Sequence, residues 1–413
     1  MPDSHDALPP HTGAAARVRS VPIGSLTTEA GDELPDVRMG VHSWGRLNET
    51  KDNAVLVLHA LTGDGHVVGD AGPGQPTPGW WPGLIGPGCV LDTDEYFVVA
   101  PNVLGGCRGS TGPSSPAADG RPYGSSFPRL SIRDQVAAEV ALADVLGIGS
   151  WAAVLGGSMG GMRALEWAVS HPGRVRRCLA IATSAIASAD QIAWATPQLH
   201  AIRGDAGFAG GDYYPGPGPR NGLEVARQIA HATYRSAADL DDRFGAAPQL
   251  GEEPQAGGRY AVQSYLQHHG RKLVRRFDAN TYLVLTDSMN SHDLGRARGG
   301  VEPALRRITA DLTVAVVSSD RLFTPGEGAV IAQAPACRRL RVIESPHGHD
   351  AFLVETEQVF AIIAEALGRT PPPGAFSVGA SDSGAEAPAE APAEAVVTGG
   401  RAAARRLQAT GLW

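Results

Sequence analysis

Leu155-Gly156-Gly157-Ser158-Met159-Gly160-Gly161-Met162 decides how this chain is read. An apolar stretch, 151–155, runs into a serine flanked by glycines, and a helical pattern follows at once. Gly156-x-Ser158-x-Gly160 has the spacing of a nucleophile elbow, a sharp strand-to-helix turn that exposes the serine Oγ. The chemistry accounts for the glycines. A serine at the tip of such a turn sits in strained backbone, and neighbours without a Cβ let strand and helix approach closely. The first N–H groups of the helix then point to where an oxyanion would form. The plain alternative is a glycine-rich turn with a solvent-facing serine, and the flanks weigh against it. Met162, Leu165, Ala168 and Val169 recur at i, i+3, i+6 and i+7, Arg163 and Glu166 leave that stripe, and His171-Pro172-Gly173 stops it.

Working outward, short apolar runs of buried-strand type occur at 54–58, 96–100, 152–155, 178–182, 313–318 and 340–343. Helical patterns at 132–146 and 159–169 separate several of them, and 328–334 is weakly helical. Strand alternating with helix predicts an α/β fold, with a mostly parallel sheet covered on both faces. Ligands of such sheets bind beyond the carboxyl ends of the strands. Between 184 and 306 the alternation lapses into helix-like stretches (222–234, 258–269) broken by Gly/Pro loops. This predicts a helical lid inserted over the active edge rather than a second domain, since the core resumes only at Thr313. The division is then 1–16 as a disordered N-terminus, 17–183 and 307–369 as the core, 184–306 as the lid, and 370–413 as a low-complexity tail. That tail repeats Ala-Pro-Ala-Glu at 387–394 and lacks the apolar content to order itself.

Composition narrows the partners. The chain has 413 residues, 43% hydrophobic and 19% charged, which is ordinary globular composition. A net charge of −8 argues against nucleic acid or an anionic membrane as the main partner. No apolar run approaches the ~20 residues of a spanning helix, and the first sixteen residues carry no apolar segment of signal-peptide type. Cys89, Cys107, Cys178 and Cys337 are scattered without a C-x-x-C pair, so reduced thiols and a cytoplasmic location are expected. Cys107 lies in a glycine-rich loop with no base placed near it and reads as a bystander. His268-His269 and Asp241-Asp242 offer no metal-ligand spacing, so no metal is expected.

A serine elbow needs a base and a group to orient it. In the α/β-hydrolase order the serine is followed by an Asp or Glu and then a His. Asp320 follows the predicted strand 313–318, and His347-Gly348-His349-Asp350 follows 340–343. Asp320 would fix the imidazole tautomer, although a strand-end Asp can equally cap the next helix. Spacing alone does not choose between His347 and His349, and Glu344 and Asp350 are further carboxylates close by. For the oxyanion, the N–H of Met159 is one candidate donor. The other is that of Leu61, in the loop His59-Ala60-Leu61-Thr62-Gly63 after the strand 54–58. His59 follows directly on a buried strand and reads as a packed, hydrogen-bonded histidine.

These segments, with Pro78-Gly79-Trp80-Trp81, Asn102-Val103-Leu104-Gly105-Gly106-Cys107, Gly109-Ser110-Thr111-Gly112-Pro113, Asn290-Ser291-His292-Asp293, Ser319-Asp320-Arg321-Leu322-Phe323 and Gly348-His349-Asp350-Ala351-Phe352-Leu353, resemble the homoserine O-acetyltransferases. These are α/β-hydrolase-fold acyltransferases of methionine biosynthesis, and the likeness spans roughly 41–367. The resemblance implies Ser158 as nucleophile, Asp320 as orienter and His349, not His347, as base. It implies Asp350 for the substrate ammonium and, in Ala226-Arg227-Gln228, Arg227 for the substrate carboxylate. Tyr234 lies seven residues on, on the same helix face. It further implies acetyl-CoA and L-homoserine as substrates, no metal or redox cofactor, and a homodimer. A guanidinium fork suits a carboxylate, which agrees with that assignment. The competing readings are a homoserine O-succinyltransferase or serine O-acyltransferase, an esterase of the same fold, and a non-catalytic binding protein. Departures from the family pattern are Met162-Arg163, Arg108 and the tail; none touches Ser158, Asp320 or His349. Deleting 371–413 is expected to leave activity and melting temperature nearly unchanged, because the tail has too little apolar surface to join the core. A drop of many degrees in a thermal melt would refute this.

Overall fold

A computed structural model describes residues 18–370; the readings made above for 1–16 and 371–413 lie outside the described residues. Among the described residues, ten strands and eleven helices follow in order. The chain opens with β1 (Arg19–Thr27), β2 (Glu33–Trp44) and β3 (Ala54–Leu58), then the short pair β4 (Ile85–Gly86) and β5 (Leu91–Asp92), and β6 (Phe97–Pro101). Next come α1 (Ile132–Val145), β7 (Ala153–Gly157), α2 (Met159–Ser170) and β8 (Arg177–Ile181). Six helices then run without a strand: α3 (Ala189–Arg203), α4 (Arg220–Tyr234), α5 (Ala237–Phe244), α6 (Ala261–Val274), α7 (Ala279–Asn290) and α8 (Val301–Leu305). The core resumes with β9 (Asp311–Val317), α9 (Pro325–Ile331) and β10 (Cys337–Ile343), and ends with α10 (Ala351–Val354) and α11 (Thr356–Ala366).

One eight-stranded sheet has the order β1-β2-β6-β3-β7-β8-β9-β10. From β6 to β10 every pairing is parallel, as the βα alternation requires, while β1 and β2 pair antiparallel at one edge. All six apolar runs are strands, displaced by a few residues at their ends. The sequence reading missed β1 and β2 for a physical reason. β1 is mostly exposed at a sheet edge, and the buried end of β2 is interrupted by Gly40, His42 and Ser43, so neither forms the continuous apolar run that marks a strand covered on both faces. The expected helix 258–269 begins instead at Ala261 and runs on to Val274, because Gly257 adopts a left-handed φ of 92° in the turn before it.

Two apolar layers flank the sheet. On one side Leu56, Leu58, Val154 and Ala180 pack with Leu142, Leu165 and Trp167 of α1 and α2; on the other Val55, Val57, Leu155 and Ile181 pack with Val359, Ile362 and Ile363 of α11. Leu294, Ala304, Leu305 and Ile308 join the first layer, so the chain beyond α7 already packs on the sheet before β9 begins. A third apolar cluster, where Leu199, Leu223, Leu273 and Tyr282 meet Leu61, Met159 and Met162, ties the inserted helices to the carboxyl ends of β3 and β7. Among the described residues no helix is long and apolar enough to cross a membrane.

Helix α2 is buried all round. Arg163 and Glu166 leave its apolar stripe but do not reach solvent. Arg163 Nη1 lies 2.6 Å from Glu139 Oε1 on α1 and Arg163 Nη2 donates to the carbonyl of His59 at 2.6 Å. Trp167 Nε1 donates to the other Glu139 oxygen at 2.7 Å. Removing one member of a buried ion pair leaves the other uncompensated, at a cost of about 3–5 kcal/mol, whereas an apolar pair of similar volume is often near neutral. Arg163→Met should therefore lower stability by about that amount in urea unfolding, and Glu139→Leu combined with Arg163→Met should recover most of it. Additive losses in the double variant would contradict this account.

Candidate active site

Ser158 sits between the last residue of β7 and the first of α2 at φ 56° and ψ −124°. A non-glycine residue held there costs about 1–3 kcal/mol, and surrounding contacts must hold it. The Ser158 N–H donates to the Ile181 carbonyl at 2.9 Å, and Thr183 Oγ1 donates to the Ser158 carbonyl at 2.9 Å. The glycines do what the motif demands. A Cβ on Gly160 would lie 2.1 Å from the Leu58 carbonyl oxygen, and one on Gly156 would lie 2.5 Å from the backbone of Gly160.

His349, in the 3-10 turn Gly348–Asp350, faces the serine. Its Nε2 is 2.9 Å from Ser158 Oγ and its Nδ1 is 2.7 Å from Asp320 Oδ2. The second oxygen of Asp320 accepts the N–H groups of Leu322 and Phe323 at 2.8 and 2.9 Å, and all three side chains are buried. With Nδ1–H given to the carboxylate, Nε2 is left free to take the serine proton. Burial alone would push the His349 pKa down. The charge of Asp320, its hydrogen bond and the charge of Asp350 outweigh that and raise it above the ordinary histidine value.

His347 belongs to another network. Its Nδ1 is 2.7 Å from Asp239 Oδ1, so the histidine left open by spacing is settled onto a lid carboxylate and not onto the serine. Burial would raise the Asp239 pKa, but the His347 hydrogen bond and the charges of Arg235 and Arg243 win and lower it. Glu344 is exposed and takes no part. His59 is the packed histidine expected: Nδ1 donates to the Ala60 carbonyl at 2.8 Å and Nε2 accepts the Val103 N–H at 3.0 Å. Burial, followed by the charge of Arg163, pushes its pKa down to about 3. Burial likewise raises the Cys107 thiol, the opposite of an activated nucleophile.

Leu61 and Met159 flank the elbow. Met159 is the first residue of α2, where an N–H has no intrahelical acceptor, and among the described residues neither its N–H nor that of Leu61 donates to a carbonyl outside the regular elements. Both are buried and share one apolar cluster.

Arg227 and Tyr234 lie on the same face of α4, with the Arg227 guanidinium carbon 5.3 Å from the Tyr234 ring centre. That ring is in turn 5.7 Å from the His349 ring. Arg227 is buried, and its Nη1 donates to Thr62 Oγ1 at 3.4 Å. Asp350, one residue past His349, is buried as well, and Arg235 Nε stands 3.2 Å from its Oδ2. Burial raises the Asp350 pKa although Arg235 and Arg227 pull it down. The carboxylate beside the histidine is thus already partly balanced by Arg235. A cavity of about 110 Å³ opens beside this group, lined by Ala60, Thr62, Asp64, Trp80, Arg227 and Leu353 among others.

These observations define an α/β hydrolase: a serine elbow in a mostly parallel sheet, with Asp and His delivered from the ends of β9 and β10. The family model for the alpha/beta hydrolase fold matches residues 53–356. The homoserine O-acetyltransferase of Thermobifida fusca (strain YX) is 60% identical over 376 residues, which cover 88% of this chain and 99% of that one. Among solved structures, homoserine O-acetyltransferase from Bacillus anthracis superposes with a TM-score of 0.78 at 25% identity, covering 86% of this chain and 99% of that one. Esterase E22 superposes equally well, with a TM-score of 0.77 at 26% identity and the same coverage. Shape alone therefore does not separate transferase from esterase, whereas 60% identity over nearly the whole length does. The chain belongs to the homoserine O-acetyltransferase family.

The raised His349 pKa carries a sign. A base must be neutral to accept a proton, so activity falls as pH drops through that pKa, and the acid limb should lie above the ~6.5 of an unperturbed histidine. Asp350→Asn removes a negative neighbour, lowers the histidine pKa and should move the limb to lower pH. The pH profile of thiol release from acetyl-CoA without acceptor measures this, and a limb that stays put or moves upward would refute it.

Proposed function

We propose that this protein transfers an acetyl group from acetyl-CoA to the hydroxyl of L-homoserine, giving O-acetyl-L-homoserine and CoA, a step of methionine biosynthesis. Family membership supports the reaction. The observation that carries the chemistry is His349 standing within hydrogen-bond reach of both Ser158 and Asp320.

In this reading His349 takes the Ser158 proton as Oγ attacks the thioester carbonyl. The N–H groups of Leu61 and Met159 receive the negative charge on oxygen. The tetrahedral intermediate collapses, the C–S bond breaks, and His349 passes the proton to the departing sulfur, so CoA leaves as the free thiol and the imidazole is neutral again. Homoserine then enters, its carboxylate on Arg227 and its ammonium near Asp350. His349 deprotonates its hydroxyl, which takes the acetyl group, and then returns the proton to the departing Ser158 Oγ. Asp350 serves two cations in turn: Arg235 at rest, and the substrate ammonium in addition when it is bound. The chain's own residues suffice for this chemistry, so no metal or redox cofactor enters the reading, and a homodimer in the cytoplasm completes it.

Purified protein with homoserine or serine, crossed with acetyl-CoA or succinyl-CoA, should turn over best with homoserine and acetyl-CoA; a preference for succinyl-CoA or serine would overturn the assignment. Arg227→Ala divides the half-reactions. It should still form one acetyl adduct on Ser158 by intact mass, yet fall roughly 30-fold or more in kcat/KM for homoserine, as removal of a buried charged partner implies. Failure to form the adduct would move Arg227 to the first half-reaction.

A further inference from the structure

The cavity lined by Arg227 holds more positive charge than one amino acid can use. Besides Arg227 it is lined by Lys272 and Arg276, which lie four residues apart and so on one side of the chain at the end of α6 and just beyond it. None of the three forms an ion pair with a carboxylate among the described residues. Asp64 is the one acid on the lining; its Oδ1 accepts the His66 N–H at 2.9 Å, its Oδ2 faces Arg108 at 3.9 Å, and its charge offsets only part of the repulsion on Arg276. Arg276 is held in place, donating from Nη1 to the Thr62 carbonyl at 2.8 Å, while Lys272 has no hydrogen-bond partner among the described residues. Like charges set this close repel one another. Burial, then the neighbouring Arg276 and Arg227, lower the Lys272 pKa; burial, then Arg227, bring Arg276 down to about 10. A fold keeps such a cluster at a cost in stability, and an anion is what relieves it.

There is also an order of depth. Arg227 is buried and reaches Tyr234, which adjoins His349; Lys272 and Arg276 are half-buried and stand further out. The apolar surfaces of Trp80, Leu273 and Leu353 line the same cavity. We propose that Lys272 and Arg276 form a subsite for the phosphate groups of the CoA carrier, with the uncharged arm of the donor lying along Trp80 and Leu353 and its thioester at Ser158. The proposal rests on the acetyl-CoA reading above and adds a specificity determinant to it: the enzyme selects a phosphorylated thiol carrier, not merely an acetyl thioester. The carboxylate of homoserine, a single negative charge, is met by Arg227 alone.

Donors that differ only in phosphate test this. Acetyl-CoA, its 3′-dephospho form and S-acetylpantetheine, which has no phosphate, are compared in wild type, Lys272→Gln and Lys272→Arg. Thiol release and acetylhomoserine formation are measured separately. Removing a charge-assisted hydrogen bond at a partly exposed site predicts about a ten-fold or greater rise in KM for acetyl-CoA in Lys272→Gln. kcat/KM for S-acetylpantetheine and KM for homoserine should stay within about two-fold, and Lys272→Arg should recover most of the acetyl-CoA affinity. The wild-type KM for acetyl-CoA should also rise with salt, and that for S-acetylpantetheine should not. Equal losses with phosphorylated and unphosphorylated donors, or no change with either, would overturn the proposal. If wild type released thiol without forming acetylhomoserine, the transferase reading would fail, yet the ratio between donors would still decide the phosphate subsite.

Discussion

Everything at the reacting centre depends on one backbone contact, where Gly160 of α2 meets the carbonyl of Leu58 at the end of β3. The space there admits no Cβ. Leu61 lies three residues beyond Leu58, and Met159 immediately precedes Gly160, so this contact sets the spacing between the two N–H groups that would share an oxyanion. A wedge of one methyl group would push the helix off the strand and part the two donors. Arg163 reinforces the same joint from one turn further along the helix by holding the His59 carbonyl, while Glu139 keeps its charge balanced. Loss of a single oxyanion donor typically costs ~10²–10³ in rate, which gives the scale of what this packing protects. The strained Ser158 follows from the same constraint: a tight strand-to-helix reversal leaves its backbone no relaxed conformation.

The parts legible in the sequence are those written as local pattern. Continuous apolar runs marked the parallel strands, because a strand covered on both faces has no reason to alternate. Glycines at Gly156 and Gly160 marked the elbow, because close backbone approach excludes every other residue type. Asp320 and the histidine segment were legible as strand ends in the expected order. The choice between His347 and His349 was not, since both lie in one turn and only the arrival of Asp239 from α5 takes His347 away. Likewise Arg163 and Glu166 look from helical periodicity like residues on a second, polar face. They are interior because α1 and the segment after α7 cover that face with Glu139 and Arg298. Long-range ion pairs have partners distant in the chain, and an edge strand lacks a continuous apolar run, so neither leaves the local pattern that marks a buried strand.

The charged residues around the site also explain how a hydrolase scaffold can serve a transferase. Esterase E22 shares the fold at a TM-score of 0.77, so the sheet and its elbow do not set the acceptor. What remains is the inserted helices. They bring Tyr234 beside His349 with Arg227 against the tyrosine ring, and place Arg235 against Asp350. In the proposed reading, an acetyl-serine there would persist until a nucleophile arrives that can satisfy those groups. Water cannot engage Arg227 and Asp350 as a zwitterionic amino acid can, so it gains little from binding there. In the proposed reading homoserine brings one carboxylate and one ammonium and, held by both residues, would present its hydroxyl at high effective concentration. On that reading, selection of acceptor over solvent would follow from differential binding among the inserted helices, with the same serine, histidine and aspartate chemistry beneath them.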